Sequence, residues 1–172
     1  MTRRDEILDT VQQLTLDTGR MPSIEAVARA LGLSKQGVLH HFPSRSALDE
    51  AVVVRALEQV DSAMVHAAAE GSPLETYLRL SSPADEDRAA VLVVAAALRD
   101  GGGGLPPQVA DAVRRWEDLI TEEVGDAVLA EVVRLTGDGL FGEALVTGTA
   151  PSPERLDRLV ALFRRAAQGY PS

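Results

Sequence analysis

Residues 23–42 read SIEAVARALGLSKQGVLHHF, and the most informative local pattern of the chain lies here. Ser23 and Ser34 are good helix N-caps, and each is followed by a short run with apolar residues at helical spacing. Gly32, between the two runs, can take the left-handed backbone conformation that a sharp turn needs, and Leu33 fills the turn with an apolar side chain. The pattern predicts two short helices joined by a tight turn, which is the layout of a helix-turn-helix.

The second of these helices carries residues suited to reading DNA. Because Ser34 caps it, we expect Lys35, Gln36 and Gly37 at its exposed start, where a recognition helix meets base edges. Lysine can donate to guanine O6 and N7, glutamine can pair with adenine, and glycine allows a close approach. The alternative is that two short Ala/Leu helices around a glycine are plain structure, with Lys35 and Gln36 only solvated.

The charge distribution confines a DNA contact to the first quarter of the chain. The net charge is -9, which by itself argues against nucleic acid. Residues 1–47 carry six basic and five acidic side chains, whereas the other 125 residues carry eleven basic and twenty-one acidic. The acidic remainder would repel phosphate, so any DNA contact belongs to the N-terminal part.

Helical spacing continues through the rest of the chain, and no segment alternates apolar and polar residues as a strand does. Capping serines and prolines begin new helices. These signals stand at Ser44, Ser72-Pro73, Ser82-Pro83, Pro106-Pro107 and Ser152-Pro153, with one more helix from about Asp126. The sequence therefore predicts an all-α fold of about nine helices.

The composition excludes several classes of protein. Hydrophobic residues make up 45% and charged residues 25% of the chain, which is ordinary for a folded protein. The absence of cysteine excludes disulfides, thiol nucleophiles and thiolate metal sites, and it fits a reducing compartment. The longest apolar stretch, residues 89–98, is too short to cross a bilayer. We expect a soluble, cytoplasmic protein that does not contact a membrane.

Residues 7–50 resemble the N-terminal signature of the tetracycline-repressor (TetR) family. The matching stretches are Gly19, Val27-Ala28, Leu31-Gly32-Leu33-Ser34 and His41-Phe42-Pro43-Ser44-Arg45-Ser46-Ala47-Leu48. The remainder is similar in helix count, length and order. The resemblance implies a helix-turn-helix DNA-binding domain at residues 1–47 and a helical ligand-binding and dimerisation domain at 48–172.

The resemblance also implies which residues contact DNA. Leu39 stands where the family usually has a tyrosine that touches phosphate, and His40 beside it is a substitute. Arg45 stands in place of the usual lysine and still suits a phosphate, while Thr10-Val11 replaces the usual alanine pair. Adjacent helical histidines point about 100° apart and rarely share a metal ion, so no metal is expected here. The expected DNA-binding residues are Ser34, Lys35, Gln36, Gly37, His40, His41, Ser44 and Arg45.

By the same resemblance, the helices from about residue 45 onward form an effector pocket. The candidates are apolar, which predicts a largely apolar effector, and Tyr77 and Trp116 are favoured because each adds a polar tip to an apolar wall. They are Met64, Tyr77, Val94, Leu98, Trp116 and Ile120. An ordinary core is the alternative for each of them.

The last two helices are expected to form a dimer surface with a four-helix interface. The candidates lie in two apolar stripes: Leu140, Phe141, Ala144 and Leu145, then Leu156, Leu159, Val160 and Phe163. Packing within one monomer is the alternative.

These features together predict a homodimeric transcriptional repressor, without a cofactor, that a small-molecule effector releases from a palindromic double-stranded DNA operator. An enzyme is disfavoured, because the sequence shows no Ser/His/Asp set, no His-x-x-x-His metal pair and no paired carboxylates in apolar surroundings. A helical adaptor that has lost specific DNA binding is the main alternative, and the acidic total and Leu39 favour it. A DNA-binding protein without an effector response is equally compatible with the sequence.

Overall fold

The structure is a computed structural model that describes residues 2–82, 107–147 and 149–169. These residues form eight α-helices and no strand, which confirms the all-α prediction. The helices are α1 (Arg3–Thr18), α2 (Ile24–Ala30), α3 (Lys35–His41), α4 (Arg45–Glu70), α5 (Pro73–Leu80), α6 (Pro107–Val124), α7 (Ala127–Thr147) and α8 (Pro153–Gly169). The further helix predicted through Val94 and Leu98 lies outside the described residues.

The described residues divide into two compact units, and the division falls within α4. The first unit holds α1, α2, α3 and the start of α4 up to Ala56. The second unit holds the rest of α4 from Leu57 together with α5 to α8. The functional boundary between residues 47 and 48 stays a prediction.

The first unit is held together by small aliphatic side chains. Ile7 and Val11 of α1, Val27 of α2 and Val38 of α3 are fully buried, and Phe42 is 1% exposed. Isolated helices shorter than roughly 12–15 residues are marginal in water. The two seven-residue helices α2 and α3 therefore depend on this shared core for their stability. The same core fixes the position of the turn that joins them.

The second unit has its own core, to which all five of its helical segments contribute. Gly137 of α7 lies against α5, where an added Cβ would fall 2.5 Å from Cε1 of Tyr77 and 2.7 Å from Oγ of Ser81. No real side chain fits at such distances, so α7 approaches α5 closely because residue 137 is glycine. Within the described residues, no helix has both the length and the hydropathy that crossing a membrane requires.

Candidate nucleic-acid interface

The turn between α2 and α3 is fixed by two backbone hydrogen bonds. Leu33 N donates to the carbonyl of Ala28 at 2.8 Å, and Gly32 N donates to the carbonyl of Arg29 at 3.2 Å. Gly32 has φ 65°, the left-handed conformation predicted for it. This pair of bonds around a left-handed glycine is the Schellman motif, which ends one helix and lets the next begin at once.

The start of α3 is capped and faces solvent. Ser34 Oγ accepts a hydrogen bond from Gly37 N at 3.0 Å, and the side chains of Lys35 and Gln36 are exposed. Val38 anchors the opposite face of α3 in the core. Lys35 and Gln36 therefore lie on the exposed side of α3, opposite Val38.

Gly37 is helical and is not required by packing. A Cβ built there would lie 3.5 Å from Ser34 Oγ and 3.6 Å from Leu33 Cβ, which is ordinary van der Waals contact. Alanine is the better helix former, so glycine at this position makes α3 less stable, and no packing contact within the protein compensates for that loss. Gly37 is half-buried next to the exposed Lys35 and Gln36, so packing inside the protein does not explain the glycine.

Lys35 has a partner that the sequence pattern did not indicate. Its Nζ lies 2.6 Å from Oε1 of Glu25, in the first turn of α2. A hydrogen bond from Lys35 is the largest of several effects that lower the pKa of the Glu25 carboxyl. The pair was missed because its members lie on different helices, where no i,i+4 spacing reveals them.

The junction into α4 carries two predicted phosphate-binding residues with different surroundings. Ser44 is exposed, and its Oγ accepts from Ala47 N at 3.0 Å. Arg45 is half-buried: its Nε donates to both carboxylate oxygens of Asp49 at 2.7 and 2.8 Å, and its Nη1 donates to the carbonyl of Pro22 at 3.0 Å. Arg45 therefore also joins the start of α4 to the segment before α2.

The two histidines at the end of α3 face different surroundings. His40 is exposed and His41 is half-buried, and their rings meet edge-on with centroids 5.3 Å apart. The guanidinium of Arg4 lies 4.8 Å from the centre of the buried Phe42 ring, which adds a cation near the same end of α3. Across the described parts of the chain, no three His, Asp or Glu residues are grouped to hold a metal ion.

Four of the predicted effector-binding residues come together in the core of the second unit: Met64, Tyr77, Trp116 and Ile120. The rings of Tyr77 and Trp116 lie 6.3 Å apart. Met64 and Ile120 are fully buried. The other two candidates, Val94 and Leu98, lie outside the described residues.

Acidic partners satisfy the polar tips of both aromatic residues. Tyr77 Oη donates to Asp138 Oδ1 and Trp116 Nε1 donates to Asp61 Oδ1, each at 2.9 Å. Arg134 Nη1 lies 2.7 Å from Asp138 Oδ2. Sequence reasoning missed these acids, although the i,i+4 spacing of Arg134 and Asp138 was a visible signal for one pair. The surroundings of the cluster are therefore less uniformly apolar than the sequence suggested.

Four of the residues predicted for the dimer surface are buried within one copy of the chain, and the dimer surface itself stays a prediction. Leu140, Leu156, Val160 and Phe163 are only 3–6% exposed and belong to the core of the second unit. Side chains so deeply buried have almost no surface to offer a second copy. Leu159 is partly buried against the same core, and Phe141 and Ala144 are half-buried. The side chain of Leu145 lies outside what the structure describes.

A different face of α7 is apolar and exposed. Val128, Val132, Leu135 and Val146 are 66%, 45%, 54% and 88% exposed. α7 carries apolar residues on two sides, and the sequence alone could not tell which side it turns inward, whereas α8 has one main apolar face and buries it.

Several solved structures share this architecture. A solved structure described as the molecular basis for control of antibiotic production by a bacterial hormone superposes with a TM-score of 0.70 at 23% identity, covering 93% of this chain and 94% of that one. A transcriptional regulator of the TerR/AcrR family from Aquifex aeolicus VF5 gives 0.64 at 17% identity, covering 96% and 97%. The multidrug-binding protein EbrR, complexed with imidazole, gives 0.64 at 18% identity, covering 95% of each chain.

At these identities the likeness shows the fold. No protein with a curated description matches the sequence. The family model described as "Tetracyclin repressor-like, C-terminal domain" matches residues 71–168, which is more than half of the chain. The chain therefore belongs to the tetracycline-repressor (TetR) family of transcriptional regulators.

Proposed function

We propose that the protein is a homodimeric repressor that reads a palindromic operator through α3 and leaves it when a small, largely apolar effector binds. The observation that carries the proposal is the exposed, Ser34-capped start of α3, which presents Lys35 and Gln36 above a fixed turn. In this proposal Lys35 donates to guanine and Gln36 pairs with adenine. The phosphate contacts come from His40, His41, Ser44 and Arg45, and the proposed role is non-catalytic and cytoplasmic.

The dimer half of the proposal uses the exposed stripe of α7. Its positions are 128, 132, 135, 139, 142 and 146, which alternate in steps of four and three like the seam of a coiled coil. Gly139 and Gly142 within the stripe have open space around them, so a partner helix can come close. Leu162 of α8 is a further exposed apolar residue, at 51% exposure. Two helices from each copy would form a four-helix interface.

A two-fold dimer requires a two-fold operator. Each protomer would place one α3 in a major groove, and half-sites separated by one helical turn are about 34 Å apart. Effector binding in the second unit would act through α4, because that helix begins at the DNA-contacting residues and continues into the effector-binding unit. An effector that prefers the state with the wrong α3 separation would weaken DNA binding.

The DNA-binding proposal is tested by selecting an operator from a random duplex library and measuring its affinity beside scrambled DNA at physiological salt. We expect the K35A/Q36A variant to lose about tenfold or more of its preference for the operator, since each base contact contributes roughly 1–3 kcal/mol. R114A is the matched control, because Arg114 is an exposed cation in the second unit. Arg45 is left unchanged, because replacing it would also remove its bonds to Asp49 and Pro22.

Equal, weak and salt-sensitive binding to both DNAs would overturn the repressor proposal. That outcome would favour the alternative of a helical adaptor without specific DNA binding, which the net charge of -9 and Leu39 also favour.

The effector-binding proposal has a built-in reporter, because Trp116 is the only tryptophan in the chain. We expect a compound that releases the operator to change the fluorescence of Trp116 over the same concentration range. Release of DNA with no change in Trp116 emission would place effector binding away from the cluster.

A further inference from the structure

Lys35 is the only lysine among the seventeen basic residues of the chain, and all the others are arginine. It is also the first residue of α3 and lies 2.6 Å from Glu25. Lysine differs from arginine in carrying a compact point charge on a flexible stem of four carbons. A side chain of that kind reaches many acceptors unless something restrains it.

Glu25 lies in the first turn of α2, against the Lys35 ammonium. The hydrogen bond from Lys35 is the largest of the effects that lower the pKa of the Glu25 carboxyl. The backbone under it is fixed, because Ser23 Oγ accepts from Ala26 N at 3.1 Å and caps α2. The carboxylate thus offers Lys35 an acceptor on the capped first turn of α2, within the helix-turn-helix.

An ammonium held by Glu25 and an unrestrained one would differ in which DNA atoms they contact. Phosphate oxygens are the most accessible acceptors on a duplex, and a lysine that binds them adds affinity without sequence information. An ammonium has three N–H donors, so one can bind Glu25 while two remain for O6 and N7 of a guanine. Keeping one donor on Glu25 restricts where the other two can point and lowers the ordering cost of a base contact.

We propose that Glu25 is a specificity-determining positioning residue, which holds the Lys35 ammonium at the start of α3 for a base contact and keeps it from phosphate. This inference rests on the proposed function, since it concerns how the same interface discriminates between DNA sequences. The competing idea is that Glu25 only repels phosphate, in which case its charge weakens binding to every duplex alike.

The two ideas are separated by a double-mutant cycle of E25Q, K35M and E25Q/K35M in the full-length protein, measured against the selected operator and an unrelated duplex. We expect E25Q to tighten binding to the unrelated duplex about fivefold at 0.15 M salt, and to steepen its log–log salt slope by about 0.9, because Lys35 gains a phosphate contact. The affinity of E25Q for the operator should not increase in the same way, so its preference for the operator over the unrelated duplex falls about fivefold. In the K35M background, the same change at residue 25 should leave the preference unaltered.

E122Q controls for net charge, because Glu122 is exposed on α6 in the second unit. Equal tightening on both duplexes by E25Q, or a change that persists in the K35M background, would overturn the positioning role. If the unaltered protein shows no preference for the operator, the proposed function fails and this inference fails with it. If it does discriminate and E25Q keeps the same preference, only the role of Glu25 is wrong.

The single lysine allows the contact to be followed directly. With ¹⁵N-labelled lysine, the one Nζ signal of the unaltered protein should respond to the operator and stay unchanged on unrelated DNA. In E25Q it should respond to both. A response to unrelated DNA in the unaltered protein would show that Glu25 does not hold Lys35 back.

Discussion

Two glycines of the helix-turn-helix serve different purposes at the scale of single residues. Gly32 has φ 65°, a conformation that costs an L-residue roughly 1–2 kcal/mol, so the turn itself requires it. Gly37 is helical and half-buried, and a methyl group there would meet Ser34 and Leu33 only at ordinary contact distances, so the fold does not require glycine. Only the structure separates these roles, because both positions read as glycine in the sequence.

The G37A and G32A variants test this difference. We expect G37A to raise the free energy of unfolding by about 0.5–1 kcal/mol and yet to weaken operator binding, since a methyl group then stands on the proposed DNA-facing side. G32A should lower the free energy of unfolding by about 1 kcal/mol. Urea denaturation and anisotropy titration measure the two quantities, and a G37A protein that binds the operator as tightly as the unaltered one would contradict the proposed approach of α3.

Tyr77 provides a residue-scale prediction about pH. Burial, and next the charge of Asp138, raises the pKa of its hydroxyl above the usual value of about 10. Because the folded-state pKa is the higher one, the stabilisation is complete below about pH 10 and is lost as the pH rises above the unfolded-state pKa.

The comparison with Y77F isolates this contribution. Between pH 10 and 11 the unaltered protein should lose about 1 kcal/mol more of its unfolding free energy than Y77F does. At pH 7, Y77F should be less stable by about 1 kcal/mol, because it lacks the hydrogen bond to Asp138. Parallel pH profiles for the two proteins would show that Tyr77 is not buried as the structure has it.

At the scale of helices, α2 and α3 are built alike and differ in what they face. Each has seven residues, and each is preceded by an N-cap serine whose Oγ accepts a backbone N–H, at 3.1 Å for Ser23 and 3.0 Å for Ser34. Neither is long enough to persist alone, so the cap and the shared core decide whether each helix forms. The start of α3 is in addition the part that is proposed to contact DNA bases.

This likeness makes S23A and S34A a matched pair. Both should lower the free energy of unfolding by about 1 kcal/mol, because each leaves a backbone N–H uncapped. Only S34A should weaken operator binding when both are measured well below their unfolding temperatures. If both variants weakened it equally, the loss would reflect the stability of the helix-turn-helix and not a contact made by Ser34.

At the scale of the whole molecule, the exposed stripe of α7 decides whether the protein can read two half-sites. A second copy of the chain is the proposed occupant, because the stripe has the alternating spacing of a helix seam and contains two glycines without near neighbours. Each buried aliphatic side chain of such a seam would contribute roughly 1.5–3 kcal/mol.

The L135E variant tests the seam. Leu135 is 54% exposed, so the charge should prevent association while each protomer keeps its helical content. We expect sedimentation velocity to show monomers and operator affinity to fall by more than tenfold. V65E is the control, since Val65 is an equally exposed apolar residue away from the stripe, on α4. A dimer that survives L135E would rule out this face.

Much of the architecture could be predicted from sequence, because it depends on local chemistry. Caps at Ser23 and Ser34, the left-handed Gly32 and the 3.6-residue spacing of the apolar positions act within a few residues of one another. The turn and the exposed start of α3 were therefore predictable from the stretch 23–42 alone. The partners of Lys35, Tyr77 and Trp116 were not, because each lies on another helix.

The all-α class and the helix-turn-helix follow from the sequence alone, since backbone capping and helical periodicity are local properties. Which apolar side of α7 faces the core depends on tertiary packing, which buries Leu140 and leaves Leu135 exposed. The physical reason is that a helix with two apolar stripes can bury either one at similar cost. The stripe that becomes buried is the one that the neighbouring helices can pack against, as α7 packs Gly137 against Tyr77.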